Sequence, residues 1–382
     1  MSASKSTEPP SADDLIAAFE RTATYTVGLE DEVMVLEADT LELAPRAREV
    51  LARLDGDGRF KLELPASQVE IITAPRDTVP EAAAELALAR RELAARTAGV
   101  VRFGAAGVHP FSAGIGELNR LEPYAHTVRE YGPVAARQLV CAFQVHVAVP
   151  GAERALAVYN AARSYLPWLA ALAANGAFYE GRDSGLASVR PKLGELLPRQ
   201  GVPPVIGNWQ EHADALAWGA RSEAFPGPRT WWWELRPHPW FGTLEFRVPD
   251  GQATVAEGAA IAALVHALAV WLGERHDAGE RLEVAATWRI EENRWSACRH
   301  GVEGTMADLE TGAIRPTREC LHELIEALRP IARRLGCGRE LDRAGALVAV
   351  NGAITQRLVA EDGGSHAVAR SLADRFLEPP PG

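Results

Sequence analysis

The sequence predicts an α+β protein, an antiparallel sheet with helices laid over it. Short runs near residues 25 to 36, 60 to 73, 101 to 104, 141 to 150, 231 to 236 and 242 to 248 are rich in Val, Ile, Leu and aromatic residues and read as strands. Between and after them lie Ala- and Leu-rich stretches with apolar residues at helical spacing, and the last third is mainly of that kind. No internal repeat or convincing linker divides the chain, so a single domain is expected over residues 21–376. Its mainly helical part, 275–376, packs on the sheet. Tails are expected at 1–20, disordered or partly helical, and at 377–382. A separate helical module from about residue 275 is the alternative.

Taken in order, residues 12 to 20 form a short helix before the first strand. In that strand Val27, Leu29, Asp31, Val33 and Val35 face one way, and Gly28, Glu30, Glu32 and Met34 the other. Asp31 interrupts the apolar face, which suggests a bulge or an early bend. A helix at 46 to 54 precedes FKLEL. Pro65 breaks that strand, QVEIIT resumes it, and Ala74-Pro75 ends it. Residues 79 to about 100 form a long amphipathic helix. VRFGAAGVHPF is a strand opening into a Gly-containing loop, 113 to 130 mix loop and short helix, and 132 to 139 are helical. CAFQVHVAVP is a strand closed by Pro150. Residues 151 to 174 are helical with a bend or break at Pro167, and 175 to 207 form a loop region large enough for an active site. After a helix at 209 to 219, RTWWWELRPHPWFGTLEFRVPD gives two strands joined across RPHPW, with the Trp231 to Trp233 run packing above and below a sheet. Helices follow at 254 to 274, 317 to 335, 339 to 349 and 365 to 376.

Composition narrows the function. The formal charge of -11 supplies no basic field for nucleic acid. Four cysteines, Cys141, Cys298, Cys320 and Cys337, form no CxxC pair or disulfide framework, which points to a reducing cytoplasm. The start lacks an apolar leader, and the run AAIAALVHALAVWL contains His266 and falls short of a membrane span. No GxxxxGK[ST], Rossmann glycine pattern, HExxH or G-x-S-x-G occurs, and neither Ser188 nor Cys141 has a nucleophile motif around it.

The chemistry lies in acidic side chains set among strand residues: Glu30, Glu32, Glu63, Glu70 and Glu245. A carboxylate in a dry interior must be neutralised, paired or bound to metal. Glu30 and Glu32 share a strand face, roughly 6.5 Å apart along the backbone, and suit one cation or two neighbours. Oxygen ligands suit Mg2+ or Mn2+. Solvent-facing glutamates, with Glu70 paired to a surface arginine, are the plainer reading. Gln144 and His146 share a face and offer a carbonyl oxygen and a neutral nitrogen, although a lone buried histidine is ordinarily just hydrogen-bonded. Glu245 and Arg247 repeat the pattern, a carboxylate for metal beside a guanidinium for an oxyanion, unless they simply pair with each other. Arg182, Arg190 and Arg236 add anion-binding donors on the presumed loop side.

The ordered set TVGLEDEVMVLEADTLEL, ELPASQVEIITAP, CAFQVHVAVP, GRDSGLASVRPK, ELRPHPWFGTLEFRVPDGQAT and NRWSACRHG resembles the bacterial carboxylate–amine ligase family, the short branch of the glutamate–cysteine ligases, from about residue 25 to 375. The resemblance implies a glutamine synthetase/guanido kinase-like catalytic domain with a curved antiparallel sheet as the floor of an ATP and divalent-metal site. It implies metal and phosphate ligation by Glu30, Glu32, Glu63, Glu70, Gln144 and Glu245, with Glu32, Glu70, His146 and Arg247 at the nucleotide. Arg247 would contact the transferred phosphate, Arg190 and Arg236 would bind anions, and Trp295 and Arg299 would close over ligand at the rim. The expected reaction joins glutamate and cysteine through an acyl phosphate using ATP and Mg2+, or Mn2+. The same mechanism with another amine, and a catalytically weak ATP-binding protein, are the alternatives. A homo-oligomer, with a dimer favoured, is expected. Many family members have His-x-His where this chain has Gln144-Val-His146, and Asp31 stands where a glutamate is usual.

Overall fold

The computed structural model describes residues 9–121, 124–224 and 230–379. It opens with α1 (Ala12–Glu20), the long strand β1 (Val27–Glu37), α2 (Ala47–Ala52), β2 (Phe60–Leu62), β3 (Gln68–Ile72) and α3 (Val79–Arg96). There follow β4 (Val101–Gly104), α4 (Ala125–Tyr131), β5 (Phe143–Ala148), α5 (Ala152–Ala162) and α6 (Leu166–Leu172). Next come β6 (Phe178–Tyr179), β7 (Arg182–Asp183), α7 (Arg190–Gly194), α8 (Trp209–Arg221), β8 (Leu235–His238), β9 (Thr243–Phe246) and α9 (Val255–Asp277). The chain ends with α10 (Thr287–His300), the hairpin of β10 (Thr305–Ala307) and β11 (Ile314–Pro316), then α11 (Thr317–Arg334), α12 (Gly338–Ala349), α13 (Gly352–Ala360) and α14 (Gly364–Arg375).

The main sheet runs β2-β3-β1-β5-β9-β8, with β4 also paired to β1, and every pairing is antiparallel. The α+β class is therefore as expected, but the curved sheet is not. The sheet is open, neither curled nor closed. Its outer strands are short, three residues in β2 and four in β8. Pro237 sits in the outer strand β8, where the lack of an N–H does no damage to a central ladder.

One sheet face packs on helices. Leu29, Val33, Val35, Val69, Ile71, Phe143, Val145, Val147, Leu244 and Phe246 are buried there in one apolar cluster with α3, α5 and α9. Thr78 and Glu81 cap α3 reciprocally, as Thr254 and Glu257 cap α9. By length and composition α9 is apolar enough to cross a membrane, but 83% of its apolar window is buried inside the protein. An all-round hydrophobic helix fits that central place. His266 within it meets the Tyr25 carbonyl through Nε2 at 2.9 Å, while its buried Nδ1 has no hydrogen-bond partner among the described residues.

Asp31 produces neither the bulge nor the bend expected of it. Its register against Ile71 and Phe143 is regular. The charge is met by Arg90 of α3 at 2.8 Å, and both side chains are buried. Arg90 also donates to the carbonyls of Gln252, Ala253 and Phe376. The aromatic run differs as well. Residues 231–233 precede β8 rather than forming it, and Trp231 meets the rings of His212 and Trp233 edge-on. Pro167 breaks its helix as expected, with a short 3-10 turn at Arg163–Tyr165 separating α5 from α6. The expected N-terminal tail falls partly on residues 1–8, outside the described residues; Leu15, Ala18 and Phe19 of α1 are buried.

Candidate functional site

The sheet face opposite the helices is polar, and its register groups the acidic residues. Directly paired residues point the same way, so β-pairing alone assembles the rows. One row runs Gly28, His146, Glu245, Arg236 across β1, β5, β9 and β8. Two residues along β1, Glu30 faces Gln144, and two further Glu32 faces Glu70, which faces Lys61. Glu63 follows β2, and its backbone carbonyl is held by the Asn119 side chain at 2.6 Å.

Two triads result. Glu30, His146 and Glu245 each bring a ligand atom within 4.8 Å of the others, and so do Glu32, Glu63 and Glu70. The expectation of one acidic constellation thus resolves into two neighbouring centres, with Glu30 in one and Glu32 in the other.

Their electrostatics differ. In the first triad Glu245 accepts from Arg236 Nε at 2.6 Å and Nη2 at 3.0 Å, and from Arg247 Nη1. Burial alone would raise its carboxyl, but the two guanidiniums hold it well below the ordinary range. Burial likewise pushes Glu30 up, and the charge and close approach of His146, with Lys61 adding to them, together bring the group down to about 2. His146 is drawn down by burial and raised, on balance, by Glu30 and Glu245. Its Nδ1 contacts Thr243 Oγ1 at 3.1 Å, while its buried Nε2 lies 3.2 Å from Glu30 Oε1 without hydrogen-bond alignment.

In the second triad the carboxylates work against one another. Burial, then the Glu32 charge, pushes Glu63 up to about 8. Burial, then Glu30 and Glu63, raises Glu70 well above its ordinary value. Burial also raises Glu32, although Arg247 opposes it and the Ala142 amide donates to it at 2.6 Å. Lys61 at 3.4 Å from Glu70 is the nearby cation, and it is half exposed. Three mutually repelling oxygen donors fit a hard divalent cation. The first triad fits one through the unaligned His146 nitrogen and its two flanking carboxylates.

Of the other expected residues, Gln144 contacts the triads directly and Arg190 holds the backbone beyond β9, while Arg182, Trp295 and Arg299 make contacts elsewhere. Gln144 bridges the triads: Nε2 donates to Glu32 at 2.8 Å and Oε1 accepts from Arg247, so its carbonyl oxygen is already used. Arg190 holds Asp250 at 2.8 Å and donates to the carbonyls of Arg247, Val248 and Pro249, fixing the chain just beyond β9. Arg182 is exposed beside Glu180. Trp295 is exposed with Lys192 5.5 Å over its ring, and Arg299 donates to the Gly185 carbonyl. Cys141 is buried and its thiol pushed well up by burial; Ser188 is buried with its hydroxyl unbonded among the described residues. Neither has an activating base.

Several contributors escaped the sequence reading. Thr243 and Lys61 are two residues from Glu245 and Glu63, a spacing that strand parity makes readable. Glu234 and Arg294 give no such signal. They form a buried fork at 2.8 and 3.0 Å through Arg294 Nε, and the Glu234 carbonyl accepts from the Arg247 amide at 2.8 Å, tying α10 to β9.

Known proteins resemble this chain in fold and in sequence. A solved glutamate–cysteine ligase from Francisella tularensis, in complex with AMP, superposes with a TM-score of 0.70 over 94% of this chain and 90% of that one, at 10% identity. A bifunctional glutathione synthetase from Pasteurella multocida gives a TM-score of 0.64 at 14% identity, covering 96% of this chain and 53% of that one. These likenesses establish a shared fold. In sequence, the chain is 37% identical over 365 residues to a "Putative glutamate–cysteine ligase 2-3" of Rubrobacter xylanophilus, covering 93% of this chain and 98% of the relative. It is 32% identical to a "Putative glutamate–cysteine ligase 2" of Thermobifida fusca, covering 94% and 92%. The family model for glutamate–cysteine ligase family 2 (GCS2) matches residues 26–370, a span that contains both triads and their arginines, and the chain belongs to that family.

Proposed function

We propose that the chain is an ATP-dependent carboxylate–amine ligase, and that its substrates are the γ-carboxylate of glutamate and the amine of cysteine. The observation that carries this is the pair of acidic triads on one sheet face, one wired to Arg236 and Arg247 and the other made of three carboxyls that burial and mutual repulsion push up. Glu30, His146 and Glu245 would hold one divalent cation and Glu32, Glu63 and Glu70 another. Bound Mg2+, or Mn2+, supplies positive charge for the nucleotide phosphates. The substrate carboxylate oxygen attacks the γ-phosphorus and ADP leaves; the amine nitrogen then attacks the acyl carbon, phosphate leaves, and the amine gives up a proton. Arg247 is the group assigned to the transferring phosphoryl, with Gln144 and Glu245 setting its position. Arg236 holds Glu245, and Arg190 holds the backbone that follows Arg247. Trp295 and Arg299 would close over the ligand, the role that the family resemblance gives them.

The test is a Mg-ATP turnover screen over amino-acid pairs that reads phosphate release and product mass together. Glutamate with cysteine gives ADP, phosphate and a γ-amide in equal amounts. AMP and pyrophosphate would mean adenylation and overturn the acyl-phosphate route. ADP formation with a different amine, and none with cysteine, keeps the mechanism and reassigns the acceptor.

Arg247→Lys is expected to lower kcat by roughly 100-fold or more, the scale of losing one preorganised donor, while the KM for ATP changes far less. Lysine keeps the charge and loses the planar guanidinium, whose Nη1 donates to Gln144 and Glu245 together. A kcat within a few-fold of the parent would remove Arg247 from the reacting centre.

Gln144→His is expected to raise the ratio of Mn2+- to Mg2+-supported activity, because imidazole favours the transition metal over magnesium. The position lies between Glu32 and Arg247, where a ring nitrogen can replace either amide atom. An unchanged ratio, measured at saturating metal, would place residue 144 outside direct contact with the cation.

A further inference from the structure

The turn joining β8 to β9 presents an aromatic surface at the edge of the first triad. Phe241 is 63% exposed and Trp240 39% exposed. These rings belong to a built array. Phe241 lies flat against His238, with ring centroids 3.9 Å apart and planes 4° apart. Trp240 meets His238 edge-on at 5.7 Å. His238 and Phe241 in turn stand 5.7 and 6.4 Å from the ring of His146, a member of the triad.

The array carries no charge of its own. His238 Nδ1 faces the amides of Phe241 at 3.3 Å and Trp240 at 3.4 Å, so that nitrogen accepts and is unprotonated. The array is also fixed in place. Gly242 has φ +64, and a Cβ there would sit 2.3 Å from the Ala18 carbonyl oxygen of α1. The Gly242 carbonyl accepts from Val149 N at 3.3 Å. A flat, neutral, rigid ring surface beside a cation-binding triad is suited to a ligand that is planar at one end and polyanionic at the other.

We propose that Phe241, backed by His238 and flanked by Trp240, is the platform on which the planar base of the nucleotide stacks, with the phosphates directed to Glu30, His146 and Glu245. The proposal rests on the reading of the chain as an ATP user and extends it to the base. Stacking uses the π-face that every base has, so this contact grips the base without choosing strongly between purines.

The experiment compares binding of Mg-ATP and of magnesium tripolyphosphate, which has the phosphates and no base, by calorimetry on the full chain, together with steady-state turnover. Phe241→Ala is expected to weaken Mg-ATP roughly 5- to 100-fold, the effect of removing one base–aromatic stack, and to leave tripolyphosphate unchanged. It raises the KM for ATP more than it lowers kcat. Phe241→Trp restores binding. Parent-like ATP affinity in Phe241→Ala overturns the platform, and so does an equal loss of tripolyphosphate, which would mean a disturbed triad. A change of oligomeric state with ATP affinity intact would make the surface a contact between copies and overturn it too. Parent protein that binds neither ligand overturns the ATP reading itself.

Discussion

Glu32→Gln, Glu63→Gln and Glu70→Gln should each lose Mg-ATP turnover yet melt higher than the parent in metal-free buffer, whereas Glu245→Gln should lose turnover and melt lower. The loss of activity is common because each change strips a ligand from a centre worth several kcal/mol, on the order of a thousandfold in rate. The opposite shifts in stability come from the partners. Glu63 and Glu70 are raised by burial and by one another's neighbours, so removing one charge relieves the rest. Glu245 neutralises Arg236 and Arg247, so its removal strands two largely buried guanidiniums. Breaking a buried pair from one side costs about 3–5 kcal/mol. In a protein of this size that is about 4–6 °C in Tm.

The same difference has a pH signature. Glu63 lies at about 8 in the fold against an ordinary 4.5, so the folded state binds its proton more tightly. Stability from that proton is present below the ordinary value and is lost as pH rises through about 8. Metal-free protein should therefore melt at progressively lower temperature from weakly acidic to weakly alkaline buffer. Mg2+ should restore Tm most at the alkaline end, where the carboxylates are free to bind it. Scanning calorimetry in EDTA and in Mg2+ measures both. Glutamine variants that all melt below the parent, or a flat pH profile, would refute mutual repulsion in the second triad.

Arg90→Met is expected to be the most damaging single change away from the acidic face. It leaves Asp31 buried without its partner and withdraws donors from three backbone carbonyls. The cost is about 3–5 kcal/mol by the same rule. Pairing it with Asp31→Asn should recover a good part of that loss, since the stranded charge is gone. A double variant no more stable than Arg90→Met would show that the carbonyl contacts, not the ion pair, carry the effect.

Strand parity made much of the site legible. It placed Glu30 with Glu32, Gln144 with His146 and Glu245 with Arg247, each on one face. Register between strands is a tertiary property, and without it the acids could not be divided into two triads. Asp31 was visible as an anomaly, but its explanation lies 59 residues away on a helix that reads as simply amphipathic. The helix α10 passed unread because TWRIEENRWSACRH is mostly polar, lacks a side-chain cap, and buries only a few residues such as Ile290 and Ala297. The hairpin β10–β11 has three residues per strand, too few for a period. Three adjacent tryptophans suggested a strand because aromatic residues favour strands, yet here they pack against His212, Tyr131 and one another before β8 begins.

The Arg90 side chain has a consequence for how the protein is made. Synthesis releases β1 and α3 early, but one of the carbonyls that Arg90 binds belongs to Phe376, and the Phe376 ring lies 4.5 Å under its guanidinium. On the ribosome, the strand bearing Glu30 and Glu32 must wait for almost the whole chain before the support behind it is complete. A product that stops short of Phe376 would carry every acidic ligand and still lack that support.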